Sequence, residues 1–234
     1  MVFSSHILIL LFFVRTFAVQ TVAISSESME DNLLVGDHIL VDVVHSRKGS
    51  NMLERLLLPP RRLRRGMVVA FIPPNRKDRF FVKRIVGLPG EEIEFRGSRV
   101  LVNGVMLQED YLSSRTRNDE RHGFPRYRVP SGHFFCLGDN RSASNDSRYW
   151  GPLPRENIIG IPWRVYWSFR SKPDTYSCAG FVQHLRRMAD YLTGFLHKTR
   201  WSRTYRRIQP DPDQSIFTVR MNLETNTAMT NNEK

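Results

Sequence analysis

The 234-residue sequence predicts a mainly β protein: a coiled, barrel-like β-sheet domain with a short apolar segment before it and an amphipathic helix after it. Three observations carry that expectation. Short runs rich in β-branched and aromatic residues alternate with Gly, Pro and Asn-Gly turn signals. An unbroken apolar run, Ile7 to Val14, stands near the amino end, and apolar residues at near-helical spacing stand near the carboxyl end.

The elements follow in chain order. Arg15, Thr16, Gln20 and Thr21 interrupt the chain after the apolar run. A bilayer span needs about 20 apolar residues, whereas a helix of residues 1–14 covers only about 21 Å of a roughly 30 Å hydrocarbon core. Residues 1–14 are therefore expected to be a short or truncated membrane anchor. A cleavable signal peptide is the rival reading, but no basic residue precedes the run and removal near Ala23 would leave Ser28 almost at a new terminus. Strands are expected at His38 to Val44, Met67 to Ile72, Phe80 to Val82, Glu92 to Phe95, Val100 to Val102, His133 to Leu137 and Ile158 to Phe169. Arg96-Gly97-Ser98-Arg99 joins two of them as a hairpin, and Asn103-Gly104 makes the next turn. Ser113 to Arg126 is polar and reads as a loop-rich insertion. From His184 to Arg207 the chain is basic, and Phe181, Leu185, Met188, Leu192, Phe195 and Leu196 recur as on one side of a helix. Such a helix either touches a membrane or docks on the domain with its basic side solvated. Residues 221–234 lack apolar periodicity and read as a disordered tail.

Composition narrows the partners. With 35 Lys and Arg against 23 Asp and Glu, the net charge is +12. Nucleic acid is one standard partner for so basic a chain, but no zinc-finger spacing and no RNA-binding aromatic motif accompanies the charge. Nucleic acid is therefore not expected, and anionic membrane lipid fits better. Cys136 and Cys178 cannot make a disulfide framework, and Cys136 lies in an apolar strand as a buried free thiol would. The seven histidines form no His-Glu-x-x-His or Cys/His cluster, and no glycine-rich phosphate loop is present, so no metal and no cofactor is expected.

The chemistry is written in three blocks. Ser28 stands in Ser26-Glu27-Ser28-Met29, ahead of Gly36-Asp37; Lys83 opens Lys83-Arg84-Ile85-Val86-Gly87-Leu88-Pro89-Gly90; and Gly138-Asp139-Asn140-Arg141 precedes Asp146-Ser147-Arg148-Tyr149-Trp150-Gly151. A hydroxyl is a weak nucleophile at neutral pH and needs a base. Lysine can serve if burial removes its charge, and Phe80, Phe81, Val82, Ile85 and Val86 supply apolar surroundings for Lys83.

In this order and spacing the blocks resemble those of bacterial type I signal peptidases, over roughly Arg15 to Phe169. The resemblance implies a protease domain over residues 15–170, a basic amphipathic extension over 171–220, Ser28 as nucleophile and Lys83 as general base. It implies that Ser26 helps bind the oxyanion, that Ser144 orients the lysine amine, and that Asp139, Asn140, Arg141, Asp146 and Arg148 form a structural ionic network. It also implies that Ile24, Met29, Leu33, Phe81 and Val82 line the pocket for the residue before the cut, and that Val22, Ile39 and Ala70 line the pocket two residues further back. Walls of that kind admit only small side chains, as in an Ala-x-Ala cleavage site. The implied protein is a membrane-bound endopeptidase that removes signal peptides from exported preproteins, lying in the bacterial cytoplasmic membrane with its catalytic domain on the extracytoplasmic side.

Three departures from the family pattern weigh on that expectation. Ser25 stands where proline is usual and Asp31-Asn32 where Pro-Thr is usual, which predicts a looser nucleophile turn. Ser142 stands where aspartate is common, which removes one member of the ionic network. These departures motivate the alternative of a catalytically silent, signal-peptidase-like adaptor at the membrane surface. A self-cleaving repressor shares the serine/lysine chemistry, but it would need a DNA-binding domain where only 27 residues precede Ser28.

Overall fold

The computed structural model describes residues 19–43, 62–75, 79–97, 99–113, 116, 124–171 and 181–208. The expected anchor at 1–14 and tail at 221–234 lie outside the described residues, as does most of the 113–126 insertion.

Eleven strands are described: β1 Val19–Ala23, β2 Asp37–Asp42, β3 Val68–Phe71, β4 Phe81–Gly87, β5 Glu92–Arg96, β6 Arg99–Val102, β7 Val105–Met106, β8 Tyr127–Arg128, β9 His133–Leu137, β10 Leu153–Pro154 and β11 Ile158–Ser168. Among the described residues two α-helices accompany them, α1 Ser147–Trp150 and α2 Phe181–Lys198. The larger sheet has the order β1-β2-β11-β3-β4-β9-β10, and the smaller has β7-β6-β5-β8, with every neighbouring pair antiparallel. The fold is thus mainly β, with a curled principal sheet.

The curl has a local origin. β11 pairs with β3 through its first residues and with β2 through the rest, and its register slips between Pro162 and Arg164 and again between Val165 and Trp167. Each such bulge bends the strand and adds twist. Gly160 sits where β11 changes neighbour; a Cβ there would lie 2.4 Å from Val41 Cγ1, so only glycine lets the strands meet. Asn103 and Gly104 both have positive φ, 51° and 81°, as a primed hairpin turn requires.

Apolar burial divides into three clusters. One gathers Ile24, Met29, Leu33, Ile39, Val41, Val43, Val68, Ala70, Val82 and Val165, beneath the turn that carries Ser28. A second ties β5 and β6 to β9 through Ile93, Val100, Val102 and Phe135. The third places Val69, Ile85, Cys136 and Leu153 around β4 and β9. Cys136 is a buried free thiol.

Residues 199–208 return to the sheet. The Val165 amide bonds the Arg206 carbonyl at 2.9 Å, and the Arg200 amide bonds the Ser168 carbonyl at 2.8 Å. Gly36 is the tight point beneath: φ is +88°, and a Cβ there would fall 1.8 Å from the Phe169 carbonyl oxygen. Gly36→Ala is therefore expected to cost at least about 3 kcal/mol of stability, read as a lowered midpoint in thermal unfolding followed by circular dichroism.

Candidate active site

Backbone geometry and burial set the turn that carries Ser28. Ser26 is extended (φ −131°, ψ 155°) and precedes the 3-10 turn Glu27–Met29. The Glu30 amide closes on the Glu27 carbonyl, and the amides of Asn32 and Leu33 both reach the Met29 carbonyl. Met29 and Leu33 are each 1% exposed, so the turn is pulled onto the core by its own apolar side chains. The Ser28 carbonyl in turn accepts from the Asn140 amide at 3.1 Å. Gly138 permits this approach, since a Cβ there would lie 2.5 Å from the Ser28 carbonyl oxygen and 2.2 Å from Ser144 Oγ.

Lys83 arrives from β4, opposite Val69 of β3. Its Nζ lies 2.5 Å from Ser28 Oγ in a buried hydrogen bond, although 55 residues separate the two in sequence. Ser26 Oγ lies 3.2 Å from Ser28 Oγ, and the Phe81 ring centroid is 5.4 Å from the Lys83 amine. Burial lowers the Lys83 pKa from 10.5 to about 8, and the carboxylates of Asp146 and Asp139 oppose that shift without cancelling it. The arrangement brings a hydroxyl against an amine that sheds its proton near pH 8 instead of 10.5.

An open cleft of about 930 Å³ passes over this pair. Residues 19–26, including the edge strand β1, supply one part of its lining and residues 79–83 another, with Ser28, Met29, Ala143 and Asn145. Of the predicted pocket residues, Val22, Ile24, Met29, Phe81 and Val82 line the cleft. Leu33, Ile39 and Ala70 do not; they lie in the core cluster behind it, at most 2% exposed.

Ser144 is also buried, but its Oγ has no hydrogen-bond partner, so the expected link to the lysine amine is not made in this structure.

The ionic residues divide into separate pairs. Asp146 holds Arg148 through both carboxylate oxygens, at 2.8 and 2.9 Å, and accepts from the Gly138 amide at 3.1 Å. Asp139 takes the Arg84 guanidinium in a fork, at 2.8 and 2.6 Å. Arg141 meets Glu109 and also donates to the Gly138 carbonyl at 3.1 Å. Asn140 contributes its backbone to the Ser28 carbonyl, and its side chain accepts from the exposed Ser142 hydroxyl at 3.0 Å.

Arg84, Glu109 and Tyr111 are structural partners that sequence reasoning missed. The position of Arg84 beside Lys83 on a strand was a signal for it, since adjacent strand residues alternate sides. Glu109 lies 32 residues from Arg141 in sequence, and no local pattern marks it.

The expectation of a loosened turn is corrected by Asp31 and Asn32. Asn32 Nδ2 donates to both the Tyr111 carbonyl and Asp139 Oδ2 at 2.8 Å, and Asp31 Oδ2 accepts from the Ser113 amide at 3.0 Å. The two residues therefore tie the turn to the 109–113 segment. Ser142 leaves no charge stranded either, because Arg148 is met by Asp146 and by the Arg141 carbonyl.

A strap from the carboxyl-terminal side holds the same loop. Arg203 Nη2 bonds Asp37 Oδ2 at 2.6 Å and the Asn32 carbonyl at 2.8 Å, while Arg200 Nη1 bonds the Val35 carbonyl at 3.0 Å. Ser168 Oγ adds a 2.5 Å bond to Asp37 Oδ1.

A serine hydroxyl set against a desolvated lysine on the side of an open cleft defines a protease of the serine/lysine class. The chain belongs to the signal peptidase, peptidase S26 family, whose model matches residues 1–167, and it is a serine endopeptidase. It is 37% identical to a signal peptidase I of Leptolyngbya laminosa over 161 residues, covering 66% of this chain and 71% of the relative. It is 32% identical to a signal peptidase I of Pseudomonas aeruginosa over 198 residues, covering 70% of each. A solved signal peptidase I from Enterococcus faecalis is 35% identical with a TM-score of 0.38, covering 43% of this chain and 97% of that one.

Because Asp139 and Arg84 are both almost fully buried, Asp139→Ala strands a guanidinium in the core. A loss of about 3–5 kcal/mol is expected, measured by denaturant unfolding.

Proposed function

We propose that Ser28 is the nucleophile and Lys83 the general base of an endopeptidase that removes signal peptides from exported preproteins. The 2.5 Å contact between Lys83 Nζ and Ser28 Oγ carries this reading, together with the lowered lysine pKa. In the first half-reaction the neutral amine takes the Ser28 proton as Oγ attacks the carbonyl carbon at the cut. The tetrahedral intermediate collapses to an ester, and the leaving amine of the mature chain carries the proton away from Lys83. Water, deprotonated by the same amine, then hydrolyses the ester and frees the signal peptide as a carboxylate. Ser26, beside the Ser28 oxygen, donates to the developing oxyanion.

Ser144 takes the orienting part by the family resemblance, and its burial beside Gly138 is compatible with it. Rotation of its unpartnered hydroxyl is the freedom that part needs.

Val22, Ile24, Met29, Phe81 and Val82 give the cleft an apolar lining beside the reacting pair, which supports preference for small apolar residues and hence for an Ala-x-Ala site. The same contacts favour the enzyme over a silent adaptor, since the departures at Asp31, Asn32 and Ser142 leave the Ser28–Lys83 contact in place. The family reading further supports a membrane-bound enzyme working on the extracytoplasmic side of the bacterial cytoplasmic membrane. Among the described residues no helix is long and apolar enough to cross a bilayer.

Cleavage assays and their pH dependence test the assignment. Incubated with a preprotein carrying an Ala-x-Ala site, the enzyme should cut after the second alanine, as mapped by mass spectrometry. Ser28→Ala should abolish the cut and Ser26→Ala should slow it about 10²–10³-fold; an active Ser28→Ala variant would sink the mechanism. Since only the neutral amine works as base, kcat/KM should rise about tenfold per pH unit below the lysine pKa and level off above pH about 8. Lys83→Arg, which cannot shed its proton, should be inactive across the whole range.

A further inference from the structure

Helix α2 lies against the domain with the side a soluble protein would usually expose. Its contact side is Gly194 and Tyr191: a Cβ at 194 would come 3.0 Å from Phe169 Cζ, and the Tyr191 ring packs edge-on against Phe169 and Trp167, with centroids 4.9 and 5.0 Å away. Its apolar stripe points outward. Leu185, Met188, Leu192 and Leu196 are 52%, 61%, 78% and 73% exposed, and Phe195 is 47% exposed. Trp201, just past the helix, packs edge-on against Phe195 at 5.5 Å and extends the stripe. A surface helix of a globular domain ordinarily turns such leucines inward, and a contiguous apolar patch on the outside marks an interaction surface.

The charge around the stripe selects its occupant. From Phe181 to Ile208 the chain carries seven Lys and Arg and one acidic residue, Asp190. Arg200 and Arg203 are spent on the loop at Asp37, and Lys198 pairs with Asp190, while Arg206 and Arg207 just past the helix are exposed. A second copy of this +12 chain would bring like charge against like. An anionic lipid surface instead offers acyl chains to the leucines and phosphates to the arginines, with Trp201 and the exposed Tyr205 suited to the headgroup level. We propose that the outward stripe of α2 is a docking face that inserts into the headgroup and acyl boundary of an anionic membrane. The family model ends at residue 167, so this helix and its face lie outside the matched region.

Docking can be read without any cleavage assay, so its failure and that of the catalytic assignment are distinguishable. The full chain carrying Cys178→Ser and Leu192→Cys, labelled with an environment-sensitive fluorophore, would be reconstituted into vesicles of mixed phosphatidylglycerol and phosphatidylcholine. A label at Met106→Cys, on β7, is the water-exposed control. The expected result is a blue-shifted label at 192 with a severalfold loss of iodide quenching relative to 106, and weaker protection in vesicles of phosphatidylcholine alone. Adding Leu185→Glu and Leu196→Glu should restore iodide access; should that variant misfold by circular dichroism, the comparison of 192 with 106 still decides. Equal iodide access at both positions in anionic vesicles would overturn the proposal. So would protection at 192 in lipid-free protein that sediments as a dimer.

Discussion

The desolvation of a single amine governs how this domain is built. Holding the Lys83 pKa at about 8 in place of 10.5 corresponds to a cost of about 3 kcal/mol at neutral pH. The sign follows from the direction of the shift. Between pH 8 and 10.5 the unfolded chain binds a proton that the folded chain does not, so folding gains stability as pH rises through that window and carries the full cost below it. The surrounding core must offset that cost, and β4 is suited to do so, with Val82 to Val86 all buried between β3 and β9.

The charges nearby are arranged so as not to undo the effect. Asp139 and Asp146 both pull the amine back toward its charged form, yet each is already occupied by a guanidinium, Arg84 and Arg148. Pairing the carboxylates elsewhere leaves burial as the largest influence on the lysine. The arginines of this region thereby have a part beyond stability, since an unpaired carboxylate beside Lys83 would raise its pKa and reduce the neutral fraction.

What was legible in the sequence and what was not divides along sequence distance. Ser28, Lys83 and the strands around them were readable because contiguous blocks carry them, and β9 and β11 fall almost where alternation and β-branched content place them. Strand β1 was missed because Gln20 and Thr21 break its apolar pattern; as an edge strand lining a cleft it has little need of one. Asp31 and Asn32 were misjudged because their partners, at Ser113, Tyr111 and Asp139, lie 79 to 107 residues away. Leu33, Ile39 and Ala70 are apolar and near the site in sequence or pairing, but which apolar residue faces a cleft and which faces the core behind it depends on how the sheet curls. For α2, periodicity reveals a stripe, whereas the side laid against the domain is the one that carries the small Gly194.

The 55 residues between Ser28 and Lys83 have a consequence for the life of the chain before it is complete. The hydroxyl rides on a turn and the amine on an interior strand, and neither has its partner until the sheet has closed around both. In an open chain the lysine keeps an ordinary pKa and stays cationic at neutral pH. A nascent or misfolded copy is therefore chemically inert toward neighbouring polypeptides, and proteolytic competence is acquired together with the native state.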